Sequence, residues 1–308
     1  MNYFDDFYKE FIIQAQNLAL NAIAVTDVYE KEYRNLHSSP VLTATYTCAL
    51  EKGGDLYCDY SAKYNNSSLN ALGLATATDA ICAIKKLVYD DKDMSLSDFI
   101  NVLKSDWEGL EQLRLKIKNK YPKFGVADKN ADLVAKDIID NISAVVNGRP
   151  NVKGGIYRLG TFSIDWRWEF GQKTAASADG RKKGQTLSQN TSASFGADTL
   201  GATAHLLSLC ALDATKMPNG SIADIDLHAS SVVGENGLNS LVSTLKTFFD
   251  LGGFAVHYNV LDTEVLKKAK LSPELYPNLQ VRLCGWNVLF NSLTEKEKDE
   301  FIARSIKV

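Results

Sequence analysis

Hydrophobic residues recur at spacings of three and four along the first half of the chain. Over residues 4–23 this spacing predicts an α-helix with one apolar face. The same repeat predicts helices over residues 69–88 and 133–146, and Ser95, with Asp98 three residues later, predicts the N-terminus of another helix. We therefore expect the first 150 residues to be mainly helical.

After Pro150 strand-like and helix-like segments alternate. Strands are predicted over residues 156–164, 222–227 and 254–261, and helices over 199–212, 238–251 and 263–269. Asp262 is placed to cap the last of these helices, and Thr294 with Glu297 forms a capping box for a final one. Alternating strands and helices predict the α/β fold class, as an open sheet or a barrel.

Residues 280–290, called here the glycine finger, have the clearest pattern in the chain. Apolar residues alternate before and after Gly285, which predicts a buried strand-turn-strand segment with Gly285 at its tip. Glycine is common at tight turns simply because it adopts a positive φ angle without steric cost. It is also the residue with two α-hydrogens and no Cβ, so its α-carbon can become a planar backbone radical. The residues alone leave both roles of Gly285 open.

Composition narrows the function classes. The chain has 308 residues, a net charge of −3 and no basic patch, which argues against nucleic acid or membrane partners. Its five cysteines and four histidines are scattered and include no C-x-x-C pair, so neither a disulfide framework nor a metal site is expected. Without an apolar run of membrane length or a signal-peptide pattern, the expected location is the cytoplasm.

The segment Val281–Trp286 resembles the Arg-Val-x-Gly-Tyr motif of the glycyl radical enzymes, the pyruvate formate-lyase-like family. Trp286 replaces the usual tyrosine. Further similar blocks lie between residues 40 and 305: Ala62–Asn65, Gly73–Asp79, Ala83–Val88, Ser177–Gly184, and Phe249–Gly253 with Asn259-Val260.

The resemblance implies part of a ten-stranded α/β barrel, with a helical part over residues 1–150 and barrel strands over 151–308. The glycyl radical domain would cover about 180–308. It implies a radical stored on Gly285 and passed to a cysteine thiol that attacks a small-molecule substrate. A separate radical AdoMet activating enzyme would install the radical, and AdoMet and an iron–sulfur cluster would belong to that enzyme alone.

The sequence lacks the Gly-Cys-Val-Glu-like motif in which the family carries its thiyl cysteine. Cys48, Cys58, Cys82 and Cys210 are interpreted as small buried apolar residues. Cys284 is adjacent to Gly285, but neighbouring residues of an extended segment point to opposite sides. The first hypothesis is therefore a split enzyme whose companion subunit carries the catalytic cysteine. The alternatives are a spare part for oxygen-damaged lyases and a relic or truncated piece.

Other candidate site residues have supporting roles. Arg282, Cys284 and Trp286 are expected to support the radical loop, with Arg282 hydrogen-bonded inside a buried finger. Asp226 and His228, at a strand end where the family usually has Ser-Pro, are weak substrate-facing candidates, and a surface histidine is the alternative. Asp179–Arg181 is interpreted as a turn. The Lys63 and Lys85 blocks favour a dehydratase or carbon–heteroatom lyase, whereas Phe290–Thr294 favours a pyruvate formate-lyase-type acyltransferase.

Overall fold

The computed structural model describes residues 3–163, 166–283 and 286–305, except for the side chains of Arg34, Leu261, Leu283 and Arg304. The α-helices are α1 Phe4–Leu36, α2 Pro40–Thr43, α3 Thr47–Lys52, α4 Leu74–Ile84, α5 Leu96–Lys104, α6 Glu111–Lys120, α7 Lys129–Val146, α8 Trp166–Lys173, α9 Gly201–Cys210, α10 Gly234–Asp250, α11 Thr263–Leu271 and α12 Glu295–Ser305. The strands are β1 Ser67–Asn70, β2 Tyr157–Gly160, β3 Ile222–His228, β4 Ala255–Leu261, β5 Gln280–Leu283 and β6 Trp286–Leu289. Secondary structure is therefore mixed, as predicted.

The chain divides into two compact units. The first comprises Met1–Ala71, Ile138–Gly160 and Thr215–Asn219, and the second comprises Leu72–Asp137, Thr161–Ala214 and Gly220–Val308. Among the described helices, none is long and apolar enough to cross a membrane.

In the first unit, α1 packs on the parallel pair β1–β2. The predicted helix over residues 4–23 is confirmed and continues to Leu36. Ala19 and Ile23 of α1 form a buried cluster with Val146, Tyr157 and Leu159. The Tyr157 hydroxyl donates to Asp27 at 2.7 Å, which satisfies the polar end of this buried ring.

The predicted helix over residues 69–88 is wrong at its start. Leu69 lies in β1, where it pairs with Leu159 of β2 in a parallel register. The strand partner is about 90 residues away in sequence, so a local apolar spacing did not reveal it. Gly73, with φ +83°, separates the strand from α4.

A π-helix over Lys85–Asp90 continues α4, and it contains the Lys85-Lys86 pair. Lys85 binds Asp90 at 2.8 Å and Lys86 binds Asp91 at 3.1 Å, both five residues ahead, which is the repeat of a π-helix. All four side chains are at least one-third exposed, so this block is a solvated surface.

The second unit has a buried core around α4–α6. Around α4–α6, the buried residues are Ala83, Leu87, Phe99, Val102, Trp107, Ile117, Tyr121 and Ala178. Helix α6 was not predicted, because its sequence is mostly charged and amide residues and only Ile117 is buried. Ser95 caps α5 as predicted, by accepting the Asp98 N–H at 3.1 Å.

The C-terminal part of this unit contains the parallel pair β3–β4, joined through α10, and the helices α11 and α12. Both predicted caps are confirmed. Asp262 accepts the N–H groups of Glu264 and Val265. The Thr294 N–H donates to the Glu297 carboxylate at 2.8 Å, and the Glu297 N–H donates back to the Thr294 hydroxyl at 3.4 Å.

Candidate active site

The glycine finger is an antiparallel hairpin. Strands β5 and β6 pair from Gln280 with Leu289 to Leu283 with Trp286, which leaves a connection of two residues. The predicted strand-turn-strand arrangement is confirmed for both strands. Cys284 and Gly285, the connecting residues, lie outside the described part of the chain.

The base of the finger is firmly packed. Val281 and Phe290, 4% and 0% exposed, share a cluster with Leu266, Ala269 and Phe301. The Phe290 N–H donates to the Leu279 carbonyl at 2.8 Å, and the Asn291 amide donates to the carbonyls of Pro273 and Tyr276. Hydrophobic burial and main-chain bonds therefore fix the point from which the finger projects.

The outer part of the finger is exposed in this chain, so the prediction of a buried finger is wrong here. Trp286 is 70% exposed, Leu289 is 43% exposed, and Arg282 is also exposed. The physical reason is that the α11–α12 core covers only the side bearing Val281 and Phe290. Arg282 is exposed, which contradicts the prediction that it lies inside a buried finger, and its guanidinium makes no ion pair within the described ranges.

Asn259 holds the finger close to its tip. Its side chain is 4% exposed, and its Oδ1 accepts the Arg282 backbone N–H at 3.0 Å. Arg282 is three residues before Gly285, so the Asn259 side chain links β4 to the end of β5 that is nearest the tip. Sequence reasoning had matched Asn259 only as part of a family block.

A polar face runs along β3 and β4 towards this contact. In the parallel register, Asp224 pairs with His257 and Asp226 with Asn259. Residues two apart in a strand share a face, so these four side chains belong to one surface of the sheet. Polar residues at alternate positions in two apolar strands were a readable signal for this face. Of its members only Asp226 was a candidate from the sequence, and it was chosen because it lies at a strand end.

Asp224 is the most enclosed carboxylate of this face, at 7% exposure. Its carboxylate accepts from Gln189 at 3.0 Å and Asn190 at 2.5 Å, and lies 3.3 Å from His257 Nδ1. Its backbone N–H donates to Ser192 at 2.9 Å. Donors from a sequence segment about 35 residues earlier thus satisfy a buried charge, which ties residues 189–192 to β3.

His205, from α9, lines a small cavity of about 50 Å³ with Asp224 and Asp226. Burial lowers the pKa of His205, and the nearby Asp198, Asp226 and Asp224 oppose that shift. Its Nε2 accepts the Ala193 N–H at 3.1 Å, which suits a neutral imidazole with its proton on Nδ1.

The two weak substrate-facing candidates have different surroundings. Asp226 lines the small cavity just described. His228 binds the Ser230 hydroxyl at 2.8 Å and accepts the Ser230 N–H, so it caps the short helix Ala229–Val232. The local cap favours the alternative interpretation of His228 as a surface residue.

Two of the upstream cysteines, Cys82 and Cys210, are poor nucleophile candidates because their thiols have raised pKa values. Burial raises the pKa of Cys82 to about 12, and burial also raises the pKa of Cys210. Cys48, Cys58 and Cys210 are only partly buried, whereas Cys82 is buried as predicted.

The Asp179–Arg181 segment is a scaffold turn, as interpreted. Asp179 accepts the Ser177 hydroxyl at 2.5 Å and the Arg181 N–H. The Arg181 guanidinium donates to Ser177 and to the carbonyls of Ala175, Lys182 and Gln185. The arginine is thus used to close its own loop.

The hairpin bearing Gly285 and the mixed helix–strand fold agree with two family matches. The pyruvate formate lyase-like family matches residues 1–171, and the glycine radical family matches residues 187–291. The chain therefore belongs to the pyruvate formate-lyase-like glycyl radical enzyme family.

Curated relatives and solved structures support this assignment. The chain is 32% identical over 266 residues to trans-4-hydroxy-L-proline dehydratase of Clostridioides difficile, covering 86% of this chain and 34% of the relative. It is 29% identical to isethionate sulfite-lyase of Desulfovibrio desulfuricans, covering 98% of this chain and 37% of the relative. The glycerol-bound B12-independent glycerol dehydratase of Clostridium butyricum superimposes with a TM-score of 0.92 at 31% identity, covering 99% of this chain and 38% of that chain. The chain thus spans little more than a third of the length of these relatives.

Proposed function

We propose that this chain is the glycyl-radical-bearing subunit of a split cytoplasmic enzyme of the dehydratase and lyase branch. Gly285 stores the radical, and a companion chain supplies the cysteine that becomes the thiyl radical. Together the two chains complete a ten-stranded α/β barrel around the glycine finger. A radical AdoMet activating enzyme, with its own AdoMet and iron–sulfur cluster, installs the radical.

The chemistry requires only one hydrogen atom to move at a time. Activation removes one α-hydrogen from Gly285 and leaves an unpaired electron shared between the neighbouring amide groups. The Gly285 radical then takes the hydrogen atom of the partner's thiol, which restores glycine and leaves a thiyl radical. That thiyl radical takes a hydrogen atom from the substrate.

The exposed outer finger is the observation that carries the proposal of a companion chain. A backbone radical next to water and oxygen is short-lived, yet Trp286 beside Gly285 is 70% exposed. Val260 in β4 is 51% exposed, and Phe254, which directly precedes β4, is 56% exposed. Apolar surface of this kind marks an interface, and a second chain over it would bury both the finger and the sheet edge.

The relatives support the reaction class. Those named above are a hydroxyproline dehydratase, a sulfite-lyase and a glycerol dehydratase, each of which breaks a carbon–heteroatom bond. This favours a dehydratase or lyase over the acyltransferase alternative. The family match over residues 1–171 weighs against the spare-part alternative, because a spare part would need little beyond the finger region.

Controlled exposure to air tests where the radical resides. A carbon radical in the main chain adds dioxygen, and the peroxyl product breaks the backbone at that residue. The activated chain should yield a small fragment beginning at Trp286, detected by mass spectrometry. The unactivated chain and activated Gly285→Ala should remain intact. An intact activated chain that has lost its radical in air would contradict the proposal, unless Cys284→Ser restores the cleavage by removing a neighbouring hydrogen donor.

The companion chain is tested separately by turnover. The activated chain alone should convert no substrate, and adding the companion that bears the thiyl cysteine should restore conversion. Full turnover by this chain as a monomer would refute the split enzyme while leaving the radical on Gly285 unaffected.

A further inference from the structure

A second cavity, in the second of the two units, has no role in the proposed radical chemistry. Its volume is about 470 Å³, and its wall is formed by α4, α6, α8, α12 and the loops around Gly180 and Ser194. None of the described residues of the glycine finger lines it. A volume of this order is typical of sites for small organic molecules.

Positive charge dominates this basic cavity. Its cationic lining residues are Lys118, Lys123, Arg181, Lys183 and Lys296, and its acidic ones are Asp79, Asp179, Asp299 and Glu300. Two of the acids are already neutralised from behind the wall, since Glu300 binds Arg167 at 2.7 Å and Asp299 binds Lys270. Neither Arg167 nor Lys270 lines the cavity, so the cations that do line it outweigh the remaining acids.

Several of these cations have unused hydrogen-bond donors. Lys123, only 7% exposed, donates to the Asp179 backbone carbonyl at 3.3 Å. Lys296 lies over the Trp168 ring at 4.3 Å. Lys123, Lys183 and Lys296 make no ion pair with any carboxylate that the structure describes. An ammonium group offers three donors, and a buried one is costly unless an anion or acceptor uses them.

Unpartnered polar atoms lie in the same wall. Asp79 is 0% exposed, and its Oδ2 finds no hydrogen-bond partner among the described residues, although Oδ1 accepts the Phe124 N–H at 2.8 Å. The Ser194 hydroxyl lies beside that carboxyl and lowers its pKa as a hydrogen-bond donor would. Trp168 Nε1 is buried and has no partner within the described chain. Buried polar groups are normally satisfied, so the Trp168 indole N–H in this wall points to a missing acceptor.

The wall also has an apolar, flat component. Trp168 and Phe195 both line the cavity, and aromatic rings stack well on planar ligands. The combination of uncompensated ammonium groups with aromatic surface selects a ligand that is anionic at one end and flat and apolar at the other.

We propose that this basic cavity binds a small aromatic or conjugated carboxylate. The ligand carboxylate is held by the ammonium groups of Lys123, Lys183 and Lys296, and its flat body lies against Trp168 and Phe195. Charge-assisted bonds of this type are about twice as strong as neutral ones, so the carboxylate supplies most of the selectivity.

Calorimetric titration of the unactivated chain with benzoate tests the proposal without any radical. Benzoate should bind, and benzamide, which has the same shape without the charge, should bind roughly tenfold more weakly. Inorganic phosphate should bind more weakly than benzoate, because it lacks the flat body. Phosphate binding as tightly as benzoate would instead identify a general anion site and overturn the proposed selectivity.

Variants localise the binding. Lys123→Met should weaken benzoate binding roughly tenfold. If that variant does not fold, Lys183→Gln combined with Lys296→Gln, both on the rim, should weaken it similarly. The control is Lys267→Met, whose exposed side chain is paired with Glu264 outside the cavity and which should bind as the wild type does. No benzoate binding at concentrations of about 50 mM, or equal binding by all these variants, would overturn the proposal.

Discussion

Replacing Asn259 by alanine should loosen the outer part of the glycine finger while its base stays packed. The variant removes the 3.0 Å bond from the Arg282 N–H to a side chain that is 4% exposed. The loss is about 1 kcal/mol if water replaces the acceptor, and about 2 kcal/mol if the space stays empty. Because 1.4 kcal/mol is a factor of ten, the finger should open about 5 to 30 times more often.

Hydrogen–deuterium exchange of the unactivated chain measures this opening directly. Peptides covering β5 and β6 should exchange faster by that factor in Asn259→Ala, whereas peptides from β3 should be unchanged. Asn259→Asp keeps an acceptor oxygen and should exchange more slowly than the alanine variant.

Asn291→Ala is the matched control, because it removes two hydrogen bonds at the base of the finger rather than near its tip. Wild-type exchange at Arg282 in Asn259→Ala would refute the reasoning. Faster exchange at Arg282 in Asn291→Ala, with no change in Asn259→Ala, would also refute it.

Two predictions concern buried charges. Burial raises the pKa of Asp79 from 3.8 to about 7, so the native state holds a proton that the unfolded state releases, and stability falls as pH rises between those values. Asp79→Asn has no carboxyl to ionise, so its unfolding free energy minus that of the wild type should rise by about 2 to 3 kcal/mol between about pH 5 and pH 8. Urea titrations at a series of pH values measure this difference, and a difference that does not change with pH would contradict the prediction. Arg167 and Glu300, 5% and 11% exposed, should show a large coupling in a double-mutant cycle, and removing either alone should cost about 3–5 kcal/mol. The exposed pair Lys173–Glu169 is the control and should couple by less than about 1 kcal/mol, so equal coupling in the two pairs would argue against a buried ion pair.

Features that depend on near neighbours in sequence were predictable. The caps at Ser95, Asp262 and Thr294 each join residues two or three apart, so the residue types alone identify them. The hairpin β5–β6 was predictable for the same reason, since its two strands flank a two-residue connection.

Features set by distant partners were not predictable. Leu69 joins a strand because of a partner near residue 159, and Asp224 is satisfied by residues 189–190. Exposure of the finger depends on which surfaces pack against it. Alternating apolar residues predict a strand, but they do not show whether its apolar face packs on the core of the same chain. Trp286 is 70% exposed in this structure, so alternation alone did not reveal that it lies off the core.

The electron paramagnetic resonance spectrum of the activated chain tests the central claim most directly. With the radical on Gly285, the single remaining α-hydrogen should split the signal into a doublet. Incorporation of α-deuterated glycine should collapse that doublet, and Gly285→Ala should abolish the signal. A doublet of equal intensity in activated Gly285→Ala would place the radical on another residue and contradict the proposed role of the glycine finger.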